Sequence, residues 1–300
     1  MRLDKLGEFN FIKRISSGTR LSSGVIKGIG DDAAVLKCTG NRYLLFTTDM
    51  LVEGKHFSKS HKPYLVGKKS ISCNISDIAA MGGRPVSFVI SLGAPGNLDT
   101  KYTDELYRGI EETAKKFRID LVGGDTVASE KIVLNIAMLG EVKKKNLVLR
   151  NGAKKGDAVF ITGAIGGSIK RKHLVFTPRL EEAGFLVKNF KINSMIDVSD
   201  GLLADLGHIL EESHKGAVIY ENAVPVSREA KGFDQAVRDG EDFELIFTLS
   251  RKDAGKLKSI WPFRTRLSEI GEVLDSGKKF SIVRKNGKTE NIKPTGFTHF

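Results

Sequence analysis

Apolar residues recur along this chain with two spacings. Continuous or alternating apolar runs bounded by turn residues mark strands at YLLFTTD (residues 43–49), PVSFVISLG (85–93), KIVLNIAMLGEV (131–142) and DAVFITG (157–163). Further strands are expected near 243–249, 267–273 and 280–284. Helical spacing sets Ile71, Ile75, Ile78 and Ala79 on one face of 64–83, a stretch that stops at Gly82 and Gly83. A second amphipathic helix is predicted over 98–117. In 194–213 a strand end runs into a helix carrying Leu202, Leu203, Leu206, Ile209 and Leu210. FNFIKRI (9–15) opens a short helix. Strands and helices alternate in both halves, and the basic, glycine-containing stretch 143–156 separates them. The pattern predicts two α/β or α+β domains, residues 1–142 and 143–300.

Composition changes this picture little. The 300 residues suffice for one or two full cores. No apolar run reaches the roughly 18 residues that span a bilayer, so no membrane partner is expected. The acidic, h-region-free N-terminus does not read as a signal peptide. Cys38 and Cys73 lack metal-ligand or disulfide-framework spacing, which points to a reducing cytoplasm. The net charge of +12 fits a lysine-rich surface or attraction to phosphorylated partners. Basic clusters at 142–156 and 168–173 have no interleaved aromatics, so nucleic acid is not expected as a partner.

The aspartates carry the chemistry. Asp31 and Asp32 sit in the apolar, glycine-rich GIGDDAAVL (28–36), and Asp49 ends a strand in FTTDM. Asp77 lies in the apolar helix NISDIAAMGG, Asp125 follows Gly124 in LVGGDT, and Asp197 and Asp200 flank the turn MIDVSDGL. Taken singly, each has a structural explanation: a strand end, a solvent-facing position, or a helix N-cap for Ser199 or Asp200. Taken together they suggest convergence. Carboxylates ~4 Å apart repel by about 4 kcal/mol per pair at an effective dielectric of 20, so a cluster needs cations. Oxygen ligands without clustered Cys or His select Mg²⁺, Mn²⁺ or Ca²⁺, and Mg²⁺ commonly shares its coordination with substrate phosphates. Gly28, Gly30, Gly123, Gly124, Gly166 and Gly167 would let backbone N–H groups approach an anion, although turns use glycine as well. Neither nucleotide fingerprint is present: GKKS (67–70) lacks the upstream glycine of a P-loop, and GAIGG (163–167) is not G-x-G-x-x-G. His56 and the turn residues Glu241 and Asp242 are open between structural and ligand-contact roles.

In order, GIGDDAAVL, TTDMLVEGKHF, NISDIAAMGGRP, LVGGDT, LRNGAKKGD, DVSDGLLADLGHI, GEDFELIFT and the terminal GFTHF resemble thiamine-monophosphate kinase over nearly the whole chain. The resemblance implies the two-domain fold of the aminoimidazole ribonucleotide synthetase superfamily, with mixed sheets flanked by helices. It implies ATP-dependent phosphoryl transfer onto thiamine monophosphate, giving thiamine diphosphate and ADP. A homodimer paired through its N-terminal sheets is implied too, with active sites in clefts between the domains. On matching positions, Asp32, Thr47, Thr48, Asp49, Asp77, Asp125, Asp197 and Asp200 correspond to ligands of several Mg²⁺ ions, with Asp49, Asp125 and Asp200 nearest the chemistry. Gly124, Arg150, Ser199 and Tyr107 correspond to ATP contacts, and His56, Glu241 and Phe297 to substrate contacts. Asp31 adjoins a motif without a matched role. The segment near 168–178 is shorter than usual for the family, so a helix there is expected to be missing or reduced. The C-terminal aromatic is Phe where Tyr or Trp is common. The alternatives are another ATP-dependent enzyme of the superfamily, of the aminoimidazole ribonucleotide or selenophosphate synthetase type, or a non-catalytic nucleotide-binding protein.

Overall fold

The computed structural model describes residues 2–275, 277 and 279–298; His299 and Phe300 of the GFTHF motif lie outside the described residues. Two short helices, α1 (Leu3–Leu6) and α2 (Glu8–Ser17), precede the first sheet. That sheet is built from β1 (Val25–Lys27), β2 (Ala34–Lys37), β3 (Arg42–Val52), β4 (Arg84–Ala94), β5 (Asp120–Ala128) and β6 (Val133–Lys143), in the order β1-β2-β3-β6-β4-β5. Helix α3 (Pro63–Ala80) joins β3 to β4, and α4 (Thr100–Phe117) is the crossover that lets β5 pair parallel with β4. The other pairings in this sheet are antiparallel.

One face of the sheet is core. Phe88, Ile90 and Leu92 of β4 and Leu134, Ile136 and Met138 of β6 pack under Ile71, Ile75 and Ile78 of α3 and Leu106 and Ile110 of α4. The two helices cross with their backbones nearly touching. A Cβ on Gly67 would lie 2.0 Å from the Leu106 carbonyl oxygen, and one on Gly109 would lie 2.0 Å from that of Tyr64. The opposite face carries exposed Phe46, Met50, Val86, Val89 and Leu139, and the edge strand β5 is exposed along its whole length.

The second sheet has the order β13-β12-β9-β11-β7-β10-β8. Its strands are β7 (Ala158–Thr162), β8 (Ile192–Asp197), β9 (Gly216–Tyr220), β10 (Leu245–Leu249), β11 (Leu267–Leu274), β12 (Phe280–Val283) and β13 (Thr289–Asn291). Among the described residues of this sheet, only β9 and β12 pair parallel. The helices are α5 (Lys172–Val175), α6 (Leu180–Asn189), α7 (Leu202–Ser213), α8 (Phe233–Ala236) and α9 (Arg251–Ile260). Helix α7 covers one face through Leu202, Leu206 and Ile209, while α6 and α9 cover the other through Leu186 and Leu257. Both faces of β7 and β10 are therefore buried, which is why their sequences read as unbroken apolar runs. Ala79 and Ala80, at the end of α3, join the core beneath α6 and tie the two sheets together. The two mixed, helix-flanked sheets agree with the expected fold class.

The helix predicted over 64–83 ends at Ala80, where Gly82 turns to a positive φ and the Gly83 N–H caps the Ile78 carbonyl. The shortened segment holds a 3₁₀ turn (Ser168–Lys170) and the four-residue α5. Among the described residues no helix is long and apolar enough to cross a membrane.

Candidate active site

Alternation along β3 points Leu45, Thr47, Asp49 and Leu51 toward α3 and sends Phe46, Thr48 and Met50 to the outer face. Thr47 Oγ1 lies 2.5 Å from Asp77 Oδ2 and 3.1 Å from the Asp32 carbonyl oxygen. One residue earlier on α3, Ser76 donates to Asp197 Oδ2 at 2.5 Å. Helix α3 thus meets the loop before β2 on one side and the end of β8 on the other. The result is a compact acidic group: oxygens of Asp32, Asp77 and Asp197 lie within 4.8 Å of one another.

The electrostatics of this group would favour a bound cation. Burial, together with Asp49, Asp197 and Asp32, pushes Asp77 well above the ordinary carboxylate range. Burial and the neighbouring Asp32 push Asp197 up to about 8. Asp49 is raised to about 6 by burial, against the pull of Lys69. Asp31 is raised to about 7 by burial and by Asp32. Among the described residues Arg150 is the basic side chain that bonds the group, donating to Asp32 Oδ1 at 2.6 Å. Its backbone N–H reaches both Asp31 oxygens at 3.3 Å. Asp32 Oδ2 remains buried with no hydrogen-bond donor. An acceptor left in that state among crowded carboxylates fits a hard divalent ion.

A second wall comes from two loops zipped together. The Glu241 N–H donates to the Ser199 carbonyl at 2.7 Å, and Val198 and Glu244 exchange a further backbone bond. Glu241 and Phe243 take φ of 61° and 50°, conformations that non-glycine residues adopt only when their surroundings impose them. The zipper holds Ser199 and Asp200 beside Glu241. Phe297 is laid along the same turn, its N–H donating to the Asp200 carbonyl at 2.9 Å, with its ring half-exposed. His56 stands on the other side, its Nδ1 accepting the Val52 N–H at 2.9 Å.

Four sequence-predicted residues stand apart. Thr48 lies on the outer face, bonded to Asn135 at 3.1 Å. Gly124 and Asp125 lie on the exposed edge strand, three strands from Asp49. Asp125 pairs with exposed Ser91, whereas Asp49 shares its row with core Ile136 and Ile90, so the two carboxylates project from opposite faces. Tyr107 is half-buried on α4 against the N-terminal core. Conversely, sequence reasoning missed Lys69, Ser76, Asp205 and His208. Asp205 accepts the Asp200 and Gly201 N–H groups at 3.0 Å, and it groups with Asp200 and His208. The signal was present for three of them: Lys69 occupies core spacing with Val66 and Cys73, and Asp205 and His208 share a helical face.

The whole chain has relatives. Its residues 30–142 match the AIR synthase related protein N-terminal domain and 167–284 match the corresponding C-terminal domain. Thiamine-monophosphate kinase of Buchnera aphidicola (strain Sg) is 34% identical, covering 98% of both chains. That of Bacillus subtilis is 32% identical over 98% of this chain and 100% of its own. The chain belongs to the thiamine-monophosphate kinase family. A solved structure of this family, AaThiL complexed with AMPPCP and TMP, superposes with a TM-score of 0.86 at 31% identity over 100% of this chain and 99% of its own. A second solved structure, of thiamine monophosphate kinase from Aquifex aeolicus, gives 0.80 at 30% identity, over 98% of this chain and 100% of its own.

Proposed function

We propose that this chain is an ATP-dependent kinase that transfers the γ-phosphoryl group of ATP to the phosphate of thiamine monophosphate, yielding thiamine diphosphate and ADP. The observation that carries the reading is the Asp32–Asp77–Asp197 group with its orphaned Asp32 oxygen, in a chain related end to end to kinases of this name. Two polyphosphate anions must approach each other in this reaction. Positioning and charge neutralisation then dominate, and an ionised phosphate acceptor needs no strong general base.

Asp32, Asp49, Asp77, Asp197 and Asp200, with the Thr47 hydroxyl, are proposed to hold Mg²⁺, which when bound would neutralise oxygens of both anions. Arg150 and Ser199 are proposed to hold ATP phosphates. His56 and Glu241 are proposed to bind the acceptor and Phe297 to stack on its ring. The outer sheet face, with Phe46, Met50, Val86, Val89 and Leu139 exposed beside an unpaired edge strand, supports a homodimer packed through this face. Three strand spacings of about 4.8 Å separate Asp125 from Asp49. Gly124, Asp125 and Thr48 are therefore proposed to serve the cleft of the second copy. Two thiols outside any disulfide and ATP as co-substrate favour the cytoplasm as its setting.

The test is a coupled assay for ADP release with ATP, Mg²⁺ and thiamine monophosphate, run against thiamine and aminoimidazole precursors. Turnover with thiamine monophosphate alone, abolished by a chelator, is expected. Preference for either control would overturn the reading.

A further inference from the structure

Lys69 is fully buried, yet its stem lies in a helix face that Met or Leu would fill. Its Nζ is shared among three partners from both domains. It donates to the His56 carbonyl at 2.9 Å and to Glu241 Oε1 at 2.5 Å, and it lies 3.2 Å from His173 Nδ1. The same His173 nitrogen stands 3.1 Å from Glu241 Oε2. The His56 carbonyl and Glu241 take two of the ammonium's N–H groups, and one ring nitrogen cannot both accept from Lys69 and donate to Glu241, so the tautomer of His173 decides which of the two it bonds.

Replacing a buried ion pair by an apolar side chain is often neutral or stabilising, so stability alone does not account for this lysine. What it does geometrically is join two segments that are 185 residues apart. The His56 loop belongs to the first domain, and Glu241, with its left-handed backbone, belongs to the second. Glu241 responds electrically as well. Burial would raise its carboxyl, but His173 and Lys69 bring it below the ordinary value.

We propose that Lys69 is a positioning residue for the acceptor. It sets the separation between the His56 loop and the Glu241 carboxylate, so the acceptor's pocket has its correct width only while both domains are docked on this one ammonium. His173 braces the Glu241 end. This inference rests on the assignment of His56 and Glu241 to thiamine monophosphate.

The test uses the full chain. In Lys69→Met, KM for thiamine monophosphate is expected to rise at least about tenfold, the scale of a lost charge-assisted hydrogen bond, while KM for ATP stays within about twofold. His173→Gln, which leaves the Lys69–Glu241 pair in place, should shift the acceptor KM in the same direction by less, and it serves if Lys69→Met does not fold. Equal rises in both KM values, or an unchanged acceptor KM in a folded variant, would overturn the proposal. A thermal-unfolding cycle through Lys69→Met, Glu241→Gln and the double variant needs no substrate. Losses in Tm that are less than additive support the link, and strictly additive losses refute it. A wild-type enzyme inactive on thiamine monophosphate would defeat the functional reading instead, leaving the unfolding cycle to judge the link.

Discussion

Asp197→Asn separates the cost of the acidic group from its use. Asp197 is buried at the end of β8, with oxygens within 4.8 Å of those of Asp32 and Asp77. At that distance each ionised pair repels by about 3.5 kcal/mol at an effective dielectric of 20. Protonation limits the total, because Asp197 titrates at about 8 in the metal-free chain. Near pH 8 the relief on neutralising it is thus about one pair, roughly 3 kcal/mol. Asparagine keeps an oxygen to accept the Ser76 hydroxyl, so packing is little disturbed. With an unfolding entropy of about 2.1 cal/mol/K per residue, 3 kcal/mol raises Tm by roughly 5 °C if both domains unfold together. The assay is thermal unfolding followed by Trp261 fluorescence, in chelator and then in excess Mg²⁺. The metal-free variant should melt higher than wild type, gain little from Mg²⁺, and lose turnover by at least two orders of magnitude, the scale of a lost electrostatic contact in the transition state. A variant that melts lower than wild type in chelator, or gains as much from Mg²⁺, would refute a repulsive cation site at these residues.

The pH dependence follows with a definite sign. Asp31, Asp49 and Asp197 have folded values of about 7, 6 and 8 against an ordinary 3.8, so each binds its proton more tightly in the folded chain. Their stabilising contribution is full below the unfolded value and is lost as pH rises through the folded ones. Tm in chelator should therefore fall between pH 5 and 8.5, and the Mg²⁺-induced rise in Tm should grow over the same range; a metal effect independent of pH would contradict this. Phe297→Ala should raise KM for thiamine monophosphate more than KM for ATP, and a selective ATP defect would reverse the assignment. Val89→Glu on the outer face should shift the chain to monomer in sedimentation and cost activity, whereas an unchanged mass would remove this face as the pairing surface.

Periodicity made most of the strands and the long helices legible, because a half-buried sheet and an amphipathic helix each leave a repeat in the sequence. The α6 helix escaped, since its apolar residues face partly α3 and partly Trp261 and leave no clean stripe. Aspartates in apolar settings gave away Asp32, Asp77 and Asp197, whose cost of burial is visible without coordinates. Lys69 did not stand out, because only the fold brings α3, α5 and the 239–244 loop to one point. The side of the sheet that Asp125 occupies was equally hidden: a bulge between Phe88 and Val89 shifts the β4–β5 register, and one residue of register decides the face.

The crossing of α3 over α4 has a consequence for how this enzyme can be altered. Helix α3 bears Lys69, Ser76 and Asp77, and its spacing from α4 is set by the two missing methyl groups at Gly67 and Gly109. A single added carbon at either site would push α3 and α4 apart by about an ångström, a displacement that costs an oriented reaction about two orders of magnitude. Two hydrogen atoms in the scaffold therefore act as the gauge blocks against which the catalytic spacing is machined.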